Sequence, residues 1–304
     1  MKKEDIKLSV FSVVKNEEKM IEDSLKSMKG ADEIIIVDTG STDKTIKIAK
    51  KYTDKIYTDY KWNDNFAEAK NYAMSKCSGE WVIGLDADCR FEKDGIKKLK
   101  ELIKKHGKDH NVLNIRIVPN TFDNRDTKYH TLPKLFKAGK NIHYEGRVHE
   151  FVKEGDKVAQ GFGTGEVALV YLYSPTHYTD PDRNLRILLQ EVKDHPQVSR
   201  WKFYLGREYF QKKDYIKCIW WLNEYLKIGK WAPEKSNAYL VIAKAYWYSS
   251  MGDDARMMCM HAIRLNPDYA EALRLMAEMH YEPFKSKWKQ YAELATNNNV
   301  LFKK

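Results

Sequence analysis

Through the first 118 residues, short runs of β-branched and aromatic residues alternate with longer stretches whose apolar residues recur at helical spacing. "LSVFSVV" (8–14), "EIIIVD" (33–38), "KIYTD" (55–59), "EWVIGLD" (80–86) and "VLNIRIV" (112–118) read as strands, and 17–29, 42–51, 65–76 and 93–105 as amphipathic helices. This alternation predicts an α/β domain built on a parallel sheet, because a parallel pair needs a crossover and a helix supplies it. In open sheets of this class ligands bind beyond the carboxyl ends of the strands. Lys15-Asn16-Glu17, Asp38-Thr39-Gly40-Ser41 and Asp86-Ala87-Asp88 follow three of the predicted strands directly and are therefore the functional candidates. The third is the sharpest signal, since a buried-looking strand runs straight into two carboxylates that the pattern expects to be exposed at its tip.

From 120 to about 173 the pattern becomes short, aromatic and punctuated by glycine, which suggests mixed or antiparallel hairpins completing the domain. After the turn-like "HYTDPDRN" the period changes to helical and stays so from 183 to 296. A 34-residue helix–turn–helix repeat is visible there in Tyr239, Ala243, Tyr246, Ala255, Cys259, Ala262 and Pro267. An earlier copy aligns Leu205, Gly206, Tyr209, Cys218 and Leu222 to it, offset by 37 residues because "WAPEK" lengthens the connection. A third copy starts near Ala270 and degrades after Pro283. The expectation is an α/β domain over 1–180 and an all-α, tetratricopeptide-like repeat domain over 181–304, with an irregular helical bundle as the plainer reading of the second.

Composition narrows the class without choosing a function. A hydrophobic content of 43% beside 32% charged residues is that of a globular chain, and no apolar run approaches the roughly 18 residues of a membrane span. Cys77, Cys89, Cys218 and Cys259 are widely spaced, with no C-x-x-C pair, which argues against a zinc site or a disulfide framework. With no secretory signal visible, a reducing, cytoplasmic setting is expected. The net charge of +10 divides into 32 basic against 28 acidic residues over 1–178 and 21 against 15 over 179–304, an excess compatible with a solvated lysine-rich surface or with an anionic partner. No G-x-x-x-x-G-K-[ST] loop is present, so a P-loop nucleotide hydrolase is excluded.

The segments "VVKNEEKMIEDSLKSM", "ADEIIIVDTGSTDKTIKIAKKY" and "WNDNFAEAKNYAMSKCSGEWVIGLDADCRF" together resemble the family 2 glycosyltransferases of GT-A fold. The likeness is strongest to the branch that carries helical repeats behind the catalytic domain, which includes peptide S-glycosyltransferases and lipopolysaccharide-core glucosyltransferases. It covers residues 7–180 well and the repeats in arrangement. It implies a UDP-sugar donor whose diphosphate must be neutralised as the sugar leaves, a task for Mn²⁺ or Mg²⁺ held by strand-end carboxylates.

By this resemblance Asp88 is the direct metal ligand, Asp86 contacts the ribose or the metal through water, and Asp38 hydrogen-bonds the uridine. Lys15, Asn16 and Glu17 stand where the family's nucleotide contacts begin. Lys70 stands where relatives usually carry Arg, so a nucleotide or pyrophosphate contact there becomes a point charge rather than a bidentate fork. In "YEGRVHEF" the family's His-Glu falls on His149 and Glu150, with Glu150 as the general base of an inverting transfer. If this segment is a strand its alternation puts the two on opposite faces, and His149 is then the alternative base or metal ligand. His177 stands where GT-A enzymes carry a late His that completes the metal or diphosphate site. The implied function is a metal-dependent, inverting hexosyltransferase acting on a hydroxyl or thiol of a peptide, protein, glycan or modified DNA base. The rival class is a repeat-based interaction protein on a degenerate GT-A scaffold. Sugar, acceptor and self-association through the repeats are left open.

Overall fold

The computed structural model describes residues 7–119, 130–163, 165–172 and 180–295. The chain divides into two units, Met1–Pro181 and Asp182–Lys304. The first contains β1 (Leu8–Val14), α1 (Ile21–Ser27), β2 (Glu33–Asp38), α2 (Thr45–Ala49), β3 (Ile56–Tyr57), α3 (Phe66–Ser75), β4 (Trp81–Gly84), β5 (Cys89–Phe91), α4 (Gly95–His106), β6 (Val112–Pro119), β7 (His130–Lys137), β8 (Ile142–Glu145), β9 (Phe151–Glu154), β10 (Lys157–Val158) and β11 (Ala168–Tyr171).

Eight of these strands form one sheet in the order β3-β2-β1-β4-β7-β6-β11-β5. The first four are parallel, as the strand–helix alternation requires. β7 then enters antiparallel to both β4 and β6, β11 pairs parallel with β6, and β5 closes the edge antiparallel to β11. β1, β2, β3, β4 and β6, the strands read from the first 118 residues, all run the same way as predicted; the antiparallel members are β7, from the segment expected to form mixed or antiparallel hairpins, and β5, which the sequence did not single out. Successive side chains of β1 face opposite ways. Val10 belongs to one apolar cluster with Leu25 of α1 and Leu99 and Ile103 of α4, whereas Phe11 belongs to another with Ala67 and Ala73 of α3 and with Tyr144, which it meets edge-on, and Val152 of a small sheet ordered β10-β9-β8. With both faces covered, β1 and β2 read as near-continuous apolar runs rather than alternating ones.

A polar clamp ties the amino ends of the parallel strands. Glu33, at the start of β2, accepts from the Ser9 hydroxyl of β1, from the Ser78 backbone N–H at 2.7 Å and hydroxyl at 3.0 Å, and from Lys55 just before β3. Its side chain is only 5% exposed. Burial alone would raise its pKa, but the Lys55, Ser9 and Ser78 donors outweigh that and hold it at about 2.

The second unit runs α5 (Arg183–Asp194), α6 (Ser199–Gln211), α7 (Tyr215–Ile228), α8 (Ala232–Tyr248), α9 (Gly252–Leu265), α10 (Ala270–Glu278) and α11 (Phe284–Leu294). The short connections 212–214 and 249–251 make α6/α7 and α8/α9 helical hairpins. The repeat positions are where these pairs meet, for Gly206, Cys218, Leu222, Ala243, Ala255, Cys259 and Ala262 are all buried. Gly206 is needed for close approach: a Cβ there would lie 2.5 Å from Leu222 Cγ. In α11 Ala292 is the buried residue, which matches the decay of the repeat beyond Pro283. No helix among the described residues is long and apolar enough to cross a membrane.

Candidate active site

Three neighbouring strands, β2, β1 and β4, bring the predicted residues to one carboxyl edge. Val14 pairs with Asp38, and Phe11 with Gly84, so the segments after these strands lie side by side. The loops after β1 and β2 brace each other. Asn16 takes a left-handed conformation (φ 55°), its N–H donates to Ser41 Oγ at 2.9 Å, and its side-chain oxygen accepts from the Thr42 N–H at 2.7 Å. The Glu17 N–H donates to Thr45 Oγ1 at 2.7 Å. Asp38 is buried and accepts from the Gly40 N–H at 3.2 Å and the Ser41 N–H at 3.0 Å. It fixes the turn rather than capping α2, which begins only at Thr45. Lys15 is exposed.

At the end of β4, Asp86-Ala87-Asp88 form a turn closed by a 2.9 Å bond from the Cys89 N–H to the Asp86 carbonyl. The two carboxylates differ from the expectation that both are exposed. Asp86 has 41% of its side chain exposed, whereas Asp88 is only 5% exposed. The cause is β5, which follows at once and pairs with β11, so that the Leu172 N–H donates to the Asp88 carbonyl at 2.6 Å. The Tyr171 phenol is pushed up by burial and then by the negative charge of Asp88.

Helix α3 delivers the next group. Asn65 caps it by accepting from the Glu68 N–H at 3.0 Å, and the Phe66 N–H donates to the Arg147 carbonyl at 2.8 Å. Asn71 locks α3 to β8 by a reciprocal pair of 2.8 Å bonds with the Tyr144 backbone. Lys70, so held, places its ammonium 3.1 Å from Asp86 Oδ1 and 2.5 Å from Glu150 Oε1. Gly84, at the end of β4, leaves room for Phe11 and Tyr144: a Cβ there would sit 2.8 Å from the Phe11 ring and 3.2 Å from the Tyr144 hydroxyl.

His149 and Glu150 do not lie in a strand. They end the loop between β8 and β9, and His149 adopts φ 51°, so the alternation argument for opposite faces does not apply. Glu150 turns inward onto Lys70 and is 18% exposed. Burial would raise its pKa, but the Lys70 charge and hydrogen bond win and hold it low, while Lys70 is held well above its ordinary value against its own burial by Asp86 and Glu150. His177 lies outside the described residues.

Lys134 is a group the sequence did not single out. It sits in β7, and its ammonium is 3.7 Å from Asp86 Oδ2. Leu135 pairs with Leu113 and Pro133 with Asn114, which leaves Lys134 as the extra residue of a β-bulge. No cluster of three or more His, Cys, Asp or Glu side chains suited to a metal is present among the described residues. The donor set is instead two carboxylates on one turn. That suits Mg²⁺ or Mn²⁺, which take one or two carboxylates and complete the shell with phosphate oxygens and water.

Residues 9–158 match the glycosyl transferase family 2 profile. Three relatives show how the likeness extends. A TPR repeat-containing protein of Synechococcus elongatus is 25% identical over 76% of this chain and 59% of its own length. The SPbeta prophage-derived glycosyltransferase SunS of Bacillus subtilis is 24% identical over 71% of this chain and 53% of its own. The lipopolysaccharide core biosynthesis glycosyltransferase LpsC of Rhizobium meliloti is 25% identical over 88% of this chain and 97% of its own. The chain thus spans little more than half the length of the first two. Paired carboxylates at the tip of β4 and a partly buried carboxylate facing them across Lys70 lie inside the matched segment, and residues 9–158 carry a glycosyl transferase family 2 domain.

Proposed function

We propose that the protein is a metal-dependent, inverting glycosyltransferase that moves a hexose from a UDP-sugar to a hydroxyl or thiol acceptor on a peptide, protein, glycan or modified DNA base. The observation that carries this reading is the meeting of Asp86 and Glu150 on the single ammonium of Lys70 beyond the carboxyl end of β4, within a family 2 domain. Leaving group and nucleophile make opposite demands on such a site. The departing diphosphate needs positive charge, whereas the incoming nucleophile needs a carboxylate to take its proton.

Asp88 and Asp86 are the residues that would hold Mn²⁺ or Mg²⁺, with His177 as the third group the family resemblance adds. Such an ion supplies Lewis-acid neutralisation of the diphosphate. Lys70 contributes a point charge toward the same phosphates, and Asp38, fixed by the Gly40 and Ser41 amides, presents a preset acceptor for the uracil N–H. Lys15, Asn16 and Glu17 border the nucleotide end of this edge. Glu150 takes the acceptor's proton as the nucleophile attacks the anomeric carbon opposite the diphosphate, which gives inversion. His149 flanks it. The helical repeats present or recruit the macromolecular acceptor, as stacked helix pairs generally do, and the reaction is cytoplasmic.

Thermal stabilisation tests the donor assignment. UDP with Mn²⁺ together should raise the melting temperature more than either alone, as mass action requires when the two bind one site. Equal shifts for UDP with and without Mn²⁺ would remove the metal from the account, and no shift under any condition would remove the nucleotide.

A further inference from the structure

The positive excess of the first unit is gathered on one helix. Residues 93–108 hold seven lysines against Asp94 and Glu101, an excess of five, while residues 1–178 as a whole hold 32 basic against 28 acidic residues, an excess of four. The rest of the unit is therefore close to neutral, and the surplus belongs to α4 and its two ends. Ile96, Leu99, Leu102 and Ile103 turn into the core on the sheet face of Val10. At about 100° per residue, Lys97, Lys100 and Lys104 fall within about 60° of one another on the solvent side.

Three of the seven lysines are neutralised, Lys98 by Glu92 at 2.8 Å, Lys100 by Asp32 at 2.8 Å and Lys105 by Glu166 at 3.0 Å. Lys93, Lys97, Lys104 and Lys108 are exposed and in no ion pair among the described residues. Gly30, in the turn after α1, lies against Ile96, where a Cβ would be 3.6 Å from its Cγ2, and this sets the exposed Lys29 beside the same helix. At the other end Phe162 is 41% exposed and stacks on His110, with ring centroids 3.7 Å apart.

A row of unneutralised like charges repels itself, and an anionic partner relieves that repulsion. The composition of the row selects among such partners. It holds no Arg, whose fork reads phosphates bidentately, and one exposed ring at its end gives no platform for successive bases of a nucleic acid. It also runs along the outside of a helix rather than in a groove that would follow a strand. Ammoniums on flexible stems, with an apolar ring beside them, suit a layer of mobile anionic headgroups.

We infer that the outer face of α4, bordered by Lys29 and Phe162, is a docking surface for an anionic lipid membrane. Lys93, Lys97, Lys104 and Lys108 supply the attraction. The proposed transfer site stays open in this arrangement, because α4 covers the Val10 face of the sheet whereas α3, which delivers Lys70, packs on the Phe11 face. The inference stands independently of the donor reading.

Sedimentation of the full chain with lipid vesicles tests it. The parent should sediment with phosphatidylcholine vesicles containing about a third phosphatidylglycerol, stay in solution with phosphatidylcholine alone, and be released as salt rises from about 50 to 500 mM. Each lysine close to such a surface contributes about fivefold to the partition, so Lys97→Gln, Lys104→Gln and Lys108→Gln together should lower it about 100-fold, with melting temperature unchanged. Lys285→Gln, Lys287→Gln and Lys289→Gln remove the same charge from α11 and should lower it less than about threefold. A parent that ignores anionic vesicles, an α4 triple variant that binds like the parent, or equal losses in the two triple variants would each overturn the inference. Duplex DNA bound by the parent and lost in the α4 variant, without vesicle binding, would overturn it in favour of a nucleic acid.

Discussion

Glu33 offers the cleanest test of how the scaffold holds the site edge, because one carboxylate joins β1, β2, the segment before β3 and the segment before β4. Its pKa falls from the ordinary 4.5 to about 2. At about 1.4 kcal/mol per unit the shift corresponds to roughly 3 kcal/mol of folded-state preference for the charged form. Lys55 is 53% exposed, so its share is screened by solvent. The clamp as a whole is then worth about 2–3 kcal/mol.

The sign follows from a depressed carboxylate. The stabilisation is complete above the unfolded pKa near 4.5 and is lost as the pH falls toward about 2. Glu33→Gln keeps the shape and removes the charge, so near neutral pH it should cost about 2–3 kcal/mol, or 30- to 150-fold faster opening at about 1.4 kcal/mol per decade. Hydrogen exchange of peptides spanning β1 and β2, corrected for intrinsic rates, reads this opening in the first unit directly. The gap between parent and variant should narrow progressively between about pH 5 and pH 3. Equal protection at neutral pH, or a gap that does not change with acidification, would refute the clamp.

Three further outcomes are expected. Glu150→Gln should lower kcat for UDP-hexose turnover by about 10² or more while leaving UDP affinity equal or slightly tighter, since Lys70 loses its competing partner; a silent Glu150→Gln beside an inactive His149→Ala would reverse the two roles. Gly206→Ala places a methyl group 2.5 Å from Leu222 Cγ and should destabilise the repeats by about 1–3 kcal/mol, read as loss of exchange protection in α6 and α7; unchanged protection would mean that the pair is not closely packed there. Reversing charge at Lys212, Lys213 and Arg256 should spare donor hydrolysis. If the acceptor is DNA it should also flatten the salt dependence of acceptor binding, whereas binding insensitive to salt from about 50 to 200 mM would point to a peptide or glycan.

Much of this architecture was legible because buried parallel strands leave a strong mark. β1, β2 and β4 are apolar on both faces, and the residues that follow them are set by chain direction alone. The parts that escaped depend on contacts between distant segments. β7 contains Pro133, which argues against a central strand, yet the bulge at Pro133–Lys134 accommodates it and delivers Lys134 to Asp86. Asp88 reads as an exposed strand tip, and only the return of β11 alongside β5 covers it. The alternation used for His149 and Glu150 presumes an extended chain, and the left-handed turn at His149 defeats it. In the second unit the small residues at repeat positions left a signal of the same kind, since Ala243 is fully buried and Gly206 stands where a Cβ would meet Leu222.

If the carboxylates after β4 serve a nucleotide-sugar donor, they must support metal-assisted loss of the nucleotide. The most direct measurement is nucleotide released from a panel of UDP-hexoses by the full chain with Mn²⁺, with and without chelator, beside the Asp88→Asn variant. Asn suits this buried position because it preserves volume and one acceptor oxygen while removing the charge. Metal-dependent release from at least one UDP-hexose is expected of the parent protein, with a loss of about 10² or more in Asp88→Asn and a melting temperature little changed. Release that survives chelation, or an Asp88→Asn protein as active as the parent, would contradict it.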